Sequence, residues 1–79
     1  MPLNLEEANR TLARVLADSG ADFQGRVVGV VDRYEIEFRK GNKTLQRSID
    51  YAWLDDCEPG SASPAMDGLI EHVRATFGS

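Results

Sequence analysis

The stretch that most constrains this chain runs through residues 26–53, where apolar and polar residues alternate on both sides of a Gly-Asn pair. Tyr34, Ile36 and Phe38 alternate with Glu35, Glu37 and Arg39. A period of two marks a strand with one buried face. Lys40-Gly41-Asn42-Lys43 then supplies what a tight turn needs, since Gly and Asn tolerate positive φ. A turn at Gly41-Asn42 sets Phe38 opposite Leu45, Ile36 opposite Arg47 and Tyr34 opposite Ile49, so one hairpin follows from one turn.

Residues 26–39 admit two readings. In the favoured one, Asp32-Arg33 turns the chain between strands 26–31 and 34–39. The sheet is then a three-stranded meander, with Val27, Gly29 and Val31 on the face of Tyr34, Ile36 and Phe38. Arg is a poor residue for the left-handed positions of a two-residue turn, so a bulge or looser turn near Asp32 belongs to this reading. In the other, 26–39 is one long strand paired with 43–54, because Ile49, Tyr51 and Trp53 continue the alternation. Its weakness is that an isolated two-stranded ribbon is marginal.

Helices flank this sheet. Asn4 is a good N-cap with Glu7 three residues on, a capping-box pattern. Leu5, Ala8, Leu12, Val15 and Leu16 line one face to about Asp18, with Glu6, Arg10, Arg14 and Asp18 opposite. Gly20 is the expected stop, and Phe23 is expected under the sheet. After a loop at 55–62, Ser63-Pro64 gives an N-cap and a proline at N1. Met66, Leu69, Ile70, Val73 and Phe77 then form an apolar stripe. Two helical stripes and one sheet face make one core, so the expectation is a single α+β domain over residues 1–79: helix, antiparallel β-meander of two or three strands, helix, with both helices on one sheet face.

With 79 residues, such a domain buries only about 60% of its unfolded surface and has a thin stability margin. Cys57 is the only cysteine, so no disulfide forms within the chain; one thiol suits a reducing compartment. The start, from Met1 to Glu7, lacks a basic leader or a long apolar run, and no apolar stretch approaches the ~20 residues that span a bilayer. A soluble, cytoplasmic protein without membrane association is expected. The net charge of −4 disfavours general attraction to nucleic acid. Charge is segregated: Arg33, Arg39, Lys40, Lys43 and Arg47 precede a run from Asp50 to Glu71 with six acidic residues and no Lys or Arg.

Candidate chemistry is sparse. Asp55, Asp56, Cys57 and Glu58 are consecutive and match no zinc or calcium spacing, which reads as a solvated acidic loop. Cys57 as a nucleophile needs a base, and His72 is the only histidine. No glycine pattern carries a phosphate site. No catalytic residue, metal or cofactor is therefore expected. Arg47 falls on the inward side of its strand, where its stem can cover apolar surface.

The order helix, three strands, helix is similar to the double-stranded RNA-binding domain. That family grips phosphates with lysines at the start of its last helix, where this chain has Ser63-Pro64-Ala65-Met66-Asp67-Gly68. The stretch from Ile36 to Asn42 faintly resembles the turn of Tudor-type barrels, which need five strands. Neither likeness carries its activity over.

The resulting expectation is a small protein-binding module, an adaptor, inhibitor or regulator rather than an enzyme. It would meet a protein partner through Arg33, Arg39, Lys40, Lys43 and Trp53. The alternative is nucleic-acid binding through the basic hairpin tip; a thiol or metal enzyme ranks third. A homodimer is expected through the edge of the first strand, at Val28 and Val30, because that edge lacks the prolines and inward lysines that usually guard one. Cover by the loop 55–62 or by the amino-terminal residues is the alternative.

Overall fold

Asn4 opens the first helix as its spacing with Glu7 predicts: its Oδ1 accepts from the Glu7 N–H at 2.8 Å, and its Nδ2 donates to Glu7 Oε1 at 3.0 Å. The computed structural model describes residues 3–78. Its elements are α1 (Leu5–Asp18), β1 (Gln24–Val30), β2 (Tyr34–Lys40), β3 (Lys43–Ile49), α2 (Tyr51–Asp55) and α3 (Pro64–Gly78). At the end of α1, Gly20 has φ 66°, and the Gly20 and Ala21 N–H groups bond to the carbonyls of Ala17 and Leu16. This is the paired closure that a glycine after the cap permits.

The sheet is an antiparallel meander in the order β1-β2-β3. The β2–β3 register is the one the turn dictates: Tyr34 opposite Ile49, Ile36 opposite Arg47, Phe38 opposite Leu45. Gly41, at φ 62°, is the only turn residue with positive φ, which places the glycine first in the two-residue turn. Val27, Tyr34, Ile36, Phe38 and Ile49 are buried on one face with Leu12, Val15 and Leu16 of α1 and Met66, Ile70, Val73 and Phe77 of α3. Both long helices thus cover the same face.

Three details depart from the sequence reading. First, the looser turn expected near Asp32 is a three-residue link, 31–33, and the valines that face the core differ from those expected. Val30 pairs with Tyr34, and a bulge falls between Val27 and Gly29. The bulge reverses the alternation after Val27, so Val30 rather than Val31 turns inward, and Val31 is 81% exposed. The cause is the one that made Asp32-Arg33 a poor pair: among the described residues only glycines adopt positive φ, so the link takes a third residue. Second, Tyr51 and Trp53 do not extend a strand. Asp50, in extended conformation, starts the short helix α2 that contains them. Third, Leu5 is 47% exposed instead of lying in the α1 stripe.

The aromatic rings tie the layers together. Phe23, in the link after α1, meets Phe38 edge-on at 5.8 Å between centroids and Phe77 of α3 at 5.7 Å. Gly25 lies opposite Phe38, and a Cβ there would sit 2.9 Å from Leu16 Cδ1 and 3.1 Å from the Phe38 ring. A side chain at this position would require the Leu16 methyl and the Phe38 ring to shift.

Candidate functional site

The outer edge of β1 is occupied. Asn9 of α1 aligns its amide with the Val27 backbone, accepting from the N–H at 2.7 Å and donating to the carbonyl at 3.0 Å. The same Nδ2 donates to the Leu5 carbonyl at 3.0 Å. The side chain acts as a one-residue stand-in for a neighbouring strand. Val28 and Val30, the expected dimer edge, follow this point: Val28 is exposed and Val30 half-buried against the core. A strand pairing along β1 would have to displace Asn9. The cover at Val27 comes from α1 and not from the loop 55–62; Met1 and Pro2 lie outside the described residues.

The second face of the sheet carries no helix. Strand alternation puts Gln24, Arg26 and Val28 there beside Glu35, Glu37 and Arg39, then Thr44, Gln46 and Ser48. Gln24, Gly25, Arg26, Glu37 and Arg39 line a shallow cavity of about 380 Å³ on this face. Arg26 is the cross-strand partner of Glu37, and Arg39 Nη2 stands 3.7 Å from Glu37 Oε1.

The five residues expected to meet a partner do not form one patch. Arg39 is exposed on the bare face. Arg33 pairs with Asp50 at 3.7 Å at the far end of the sheet. Lys40 is half-buried, its Nζ 2.9 Å from Asp22 Oδ2, and its ammonium holds the Asp22 carboxyl below the usual carboxylate range. Lys43 lies on the helix side, its Nζ 3.4 Å from the Phe77 carbonyl. Trp53 is half-buried against the core. The basic tip thus presents Arg39 and Lys43 on opposite faces of the hairpin, while Lys40 bonds back to the link after α1.

Arg47 sits inward on β3 as its register requires. Its Nη1 donates to the Gln46 carbonyl at 2.8 Å, and its Nη2 lies 3.1 Å from His72 Nε2 on α3. A guanidinium only donates, so His72 Nε2 accepts. Cys57 lies elsewhere. Its buried thiol donates to the Trp53 carbonyl and accepts from the Ser63 N–H at 3.4 Å, beneath the start of α3. Ser63 Oγ donates to the same carbonyl and accepts from Met66 N–H. The thiol and the imidazole are each bonded to other groups. Among the described residues no three His, Cys, Asp or Glu side chains gather as a metal site requires. No helix among them is long and apolar enough to cross a membrane.

Several anchors were not read from the sequence. Tyr34, fully buried, donates its hydroxyl to Asp55 Oδ1 at 2.6 Å and accepts from the Leu3 N–H at 2.7 Å. Burial, then the bond to Asp55, pushes its pKa up to about 12. The Tyr51 ring stacks edge-on at 4.9 Å, and its hydroxyl bonds the Val31 carbonyl. Arg14, placed on the solvent face from spacing, instead reaches the Cys57 carbonyl at 3.2 Å. Arg74 reaches the Ser19 carbonyl at 3.2 Å, where a cation complements the helix end. No protein family, curated protein or solved structure matches the chain.

Proposed function

We propose that this protein is a small cytoplasmic protein-binding module without catalytic activity, an adaptor, inhibitor or regulator. It meets its partner with the bare sheet face around Arg26 and Arg39. The observation that supports this reading is the uncovered face itself: one whole side of the sheet is left to solvent, with two exposed guanidinium groups beside a shallow cavity of about 380 Å³. That volume is at the lower end for small-molecule sites, which are also mostly apolar. Guanidinium forks suit carboxylates, so an acidic segment of a partner fits this face better than a cofactor does. Lys43 extends the positive charge around the hairpin tip.

The test uses the intact protein and the Arg26→Glu/Arg39→Glu pair. Partner captured from the source cell should associate with the wild type and lose most of its on-rate with the variant, while the melting temperature stays put, since rim charges act chiefly on encounter. Titration with random-sequence RNA and DNA runs alongside. Micromolar binding that weakens steeply with salt would replace this reading with the nucleic-acid one, because phosphate contacts release counterions.

A further inference from the structure

The other edge of the sheet is open. Among the described residues no strand pairs with the outer side of β3. Lys40 and Lys43 close the two-residue turn as a hydrogen-bonded pair, and pairs alternate from there. Leu45, Arg47 and Ile49 therefore bond to β2, while Thr44, Gln46 and Ser48 direct their N–H and C=O groups away from it. The opposite edge checks this parity. Ile36 bonds across to Arg47, so Val27, opposite Ile36, has to point outward, and it does so into Asn9.

We propose that the protein forms a two-fold homodimer by antiparallel pairing of β3 with β3 of a second copy, centred on Gln46, which merges the two sheets into one. Gln46 is the midpoint of Lys43–Ile49, so an axis there overlaps the strands along their whole length. On the bare face it pairs Thr44 with Ser48 and Gln46 with Gln46. On the helix face it pairs Leu45 with Arg47 and Lys43 with Ile49. No rung opposes like charges. Moving the pairing two residues one way sets Lys43 against Arg47, and moving it two the other way sets Arg47 against Arg47. Like charges directly opposite are destabilising. A shift of four residues leaves only three residues of each strand in register, so charge and overlap together select the pairing centred on Gln46.

Lys43 and Arg47 are the residue types that commonly guard an edge, yet here each meets an uncharged residue. The stem of Arg47 covers the half-buried Leu45 of the other copy. Its bond to the Gln46 carbonyl leaves the second lone pair of that oxygen for the incoming N–H. The flank of α3 beside β3, fixed by the Arg47–His72 contact, carries Ala65, Gly68, His72 and Thr76, and the space around Gly68 is open. Asp67 and Glu71 lie away from this flank. A side free of carboxylates, and small at Ala65, Gly68 and Thr76, allows the two α3 helices to approach across the axis at the usual spacing of about 8–10 Å.

Sedimentation equilibrium of the intact protein should give twice 8.7 kDa. Gln46→Pro removes an outward N–H and leaves the β2 ladder whole, so it should raise the dissociation constant by about 100-fold with an unchanged circular dichroism spectrum. Gln46→Cys should cross-link to its own copy on mild oxidation, as facing pairs on this rung lie within disulfide reach, and Thr44→Cys should not. Amide exchange in the wild type adds a readout free of substitution: the Thr44, Gln46 and Ser48 amides should be protected, increasingly so with concentration. A monomeric mass at high micromolar concentration overturns the proposal. So does a dimer that survives Gln46→Pro, cross-linking of Thr44→Cys as fast as Gln46→Cys, or a dimer that Val28→Lys dissociates, which would return the joint to β1.

Discussion

Tyr34 joins three parts of the molecule that lie far apart in sequence. Its ring fills the core between the layers, while its hydroxyl holds Leu3, ahead of α1, and Asp55, at the end of α2. Tyr34→Phe keeps the packing and leaves the Leu3 N–H and Asp55 without that partner, a loss of about 1–2 kcal/mol. The same residue sets an alkaline limit. Its pKa rises from 10.0 to about 12 on folding, so above pH 10 the unfolded chain gives up this proton while the folded one keeps it. Stability from this group is complete below pH 10 and is lost as pH rises to about 12. Urea unfolding across that range should show a fall in the wild type that is shallower in Tyr34→Phe. Equal slopes in the two proteins would rule the coupling out. Alternation alone marked Tyr34 as core, but nothing local to residues 34–38 marks which groups its hydroxyl meets. Those partners lie 31 residues before it and 21 residues after it.

At the scale of elements, what was legible follows from local physics. The helix starts at Asn4 and Ser63, the stop at Gly20 and the β2–β3 register each depend on a few neighbouring residues, and each stands in the fold as read. What was missed is of two kinds, local signals that compete over a few residues and contacts between residues distant in sequence. The bulge after Val27 answers a turn that Asp32 and Arg33 cannot make. Asp50 begins a helix where apolar alternation suggested more strand: its extended backbone presents its carbonyl to the Trp53 N–H at 3.1 Å, while its carboxylate makes no cap bond and pairs with Arg33 instead. The bare face and the outward groups of β3 were implicit in the hairpin register. The closed edge of β1 was not. Asn9 is unremarkable within α1 and gains its role only because β1 passes beside it. Asn9→Asp tests that role with almost no change of shape. The carboxylate still accepts from Val27 N–H but faces the Val27 and Leu5 carbonyls without a proton to donate. The variant should lose about 1–3 kcal/mol, recover part of it at a pH low enough to protonate the Asp, and exchange its Val27 amide faster. A variant as stable as the wild type, with that amide still protected, would show that Asn9 is incidental.

For the molecule as a whole, a slab of 36 × 25 × 17 Å leaves little depth for a core. At roughly 0.05–0.15 kcal/mol per residue, a chain of 79 residues has about 4–12 kcal/mol of stability in all. Against that total, the ring contacts from Phe77 through Phe23 to Phe38 weigh heavily. They carry α3 onto the sheet through a residue that belongs to neither, so Phe23 couples the last helix to the meander. Phe23→Ala should cost about 3–5 kcal/mol, enough to unfold an appreciable fraction of a protein at the lower end of that range. The two-fold pairing proposed through β3 alters this outcome in a measurable way. Association stabilises the folded state by mass action, so the melting temperature of Phe23→Ala should climb with protein concentration. Adding Gln46→Pro should remove that climb without touching the aromatic contacts. A melting temperature of Phe23→Ala that ignores concentration would mean that the folded protomer stands alone and that the aromatic bridge, not a partner copy, decides whether this small domain folds.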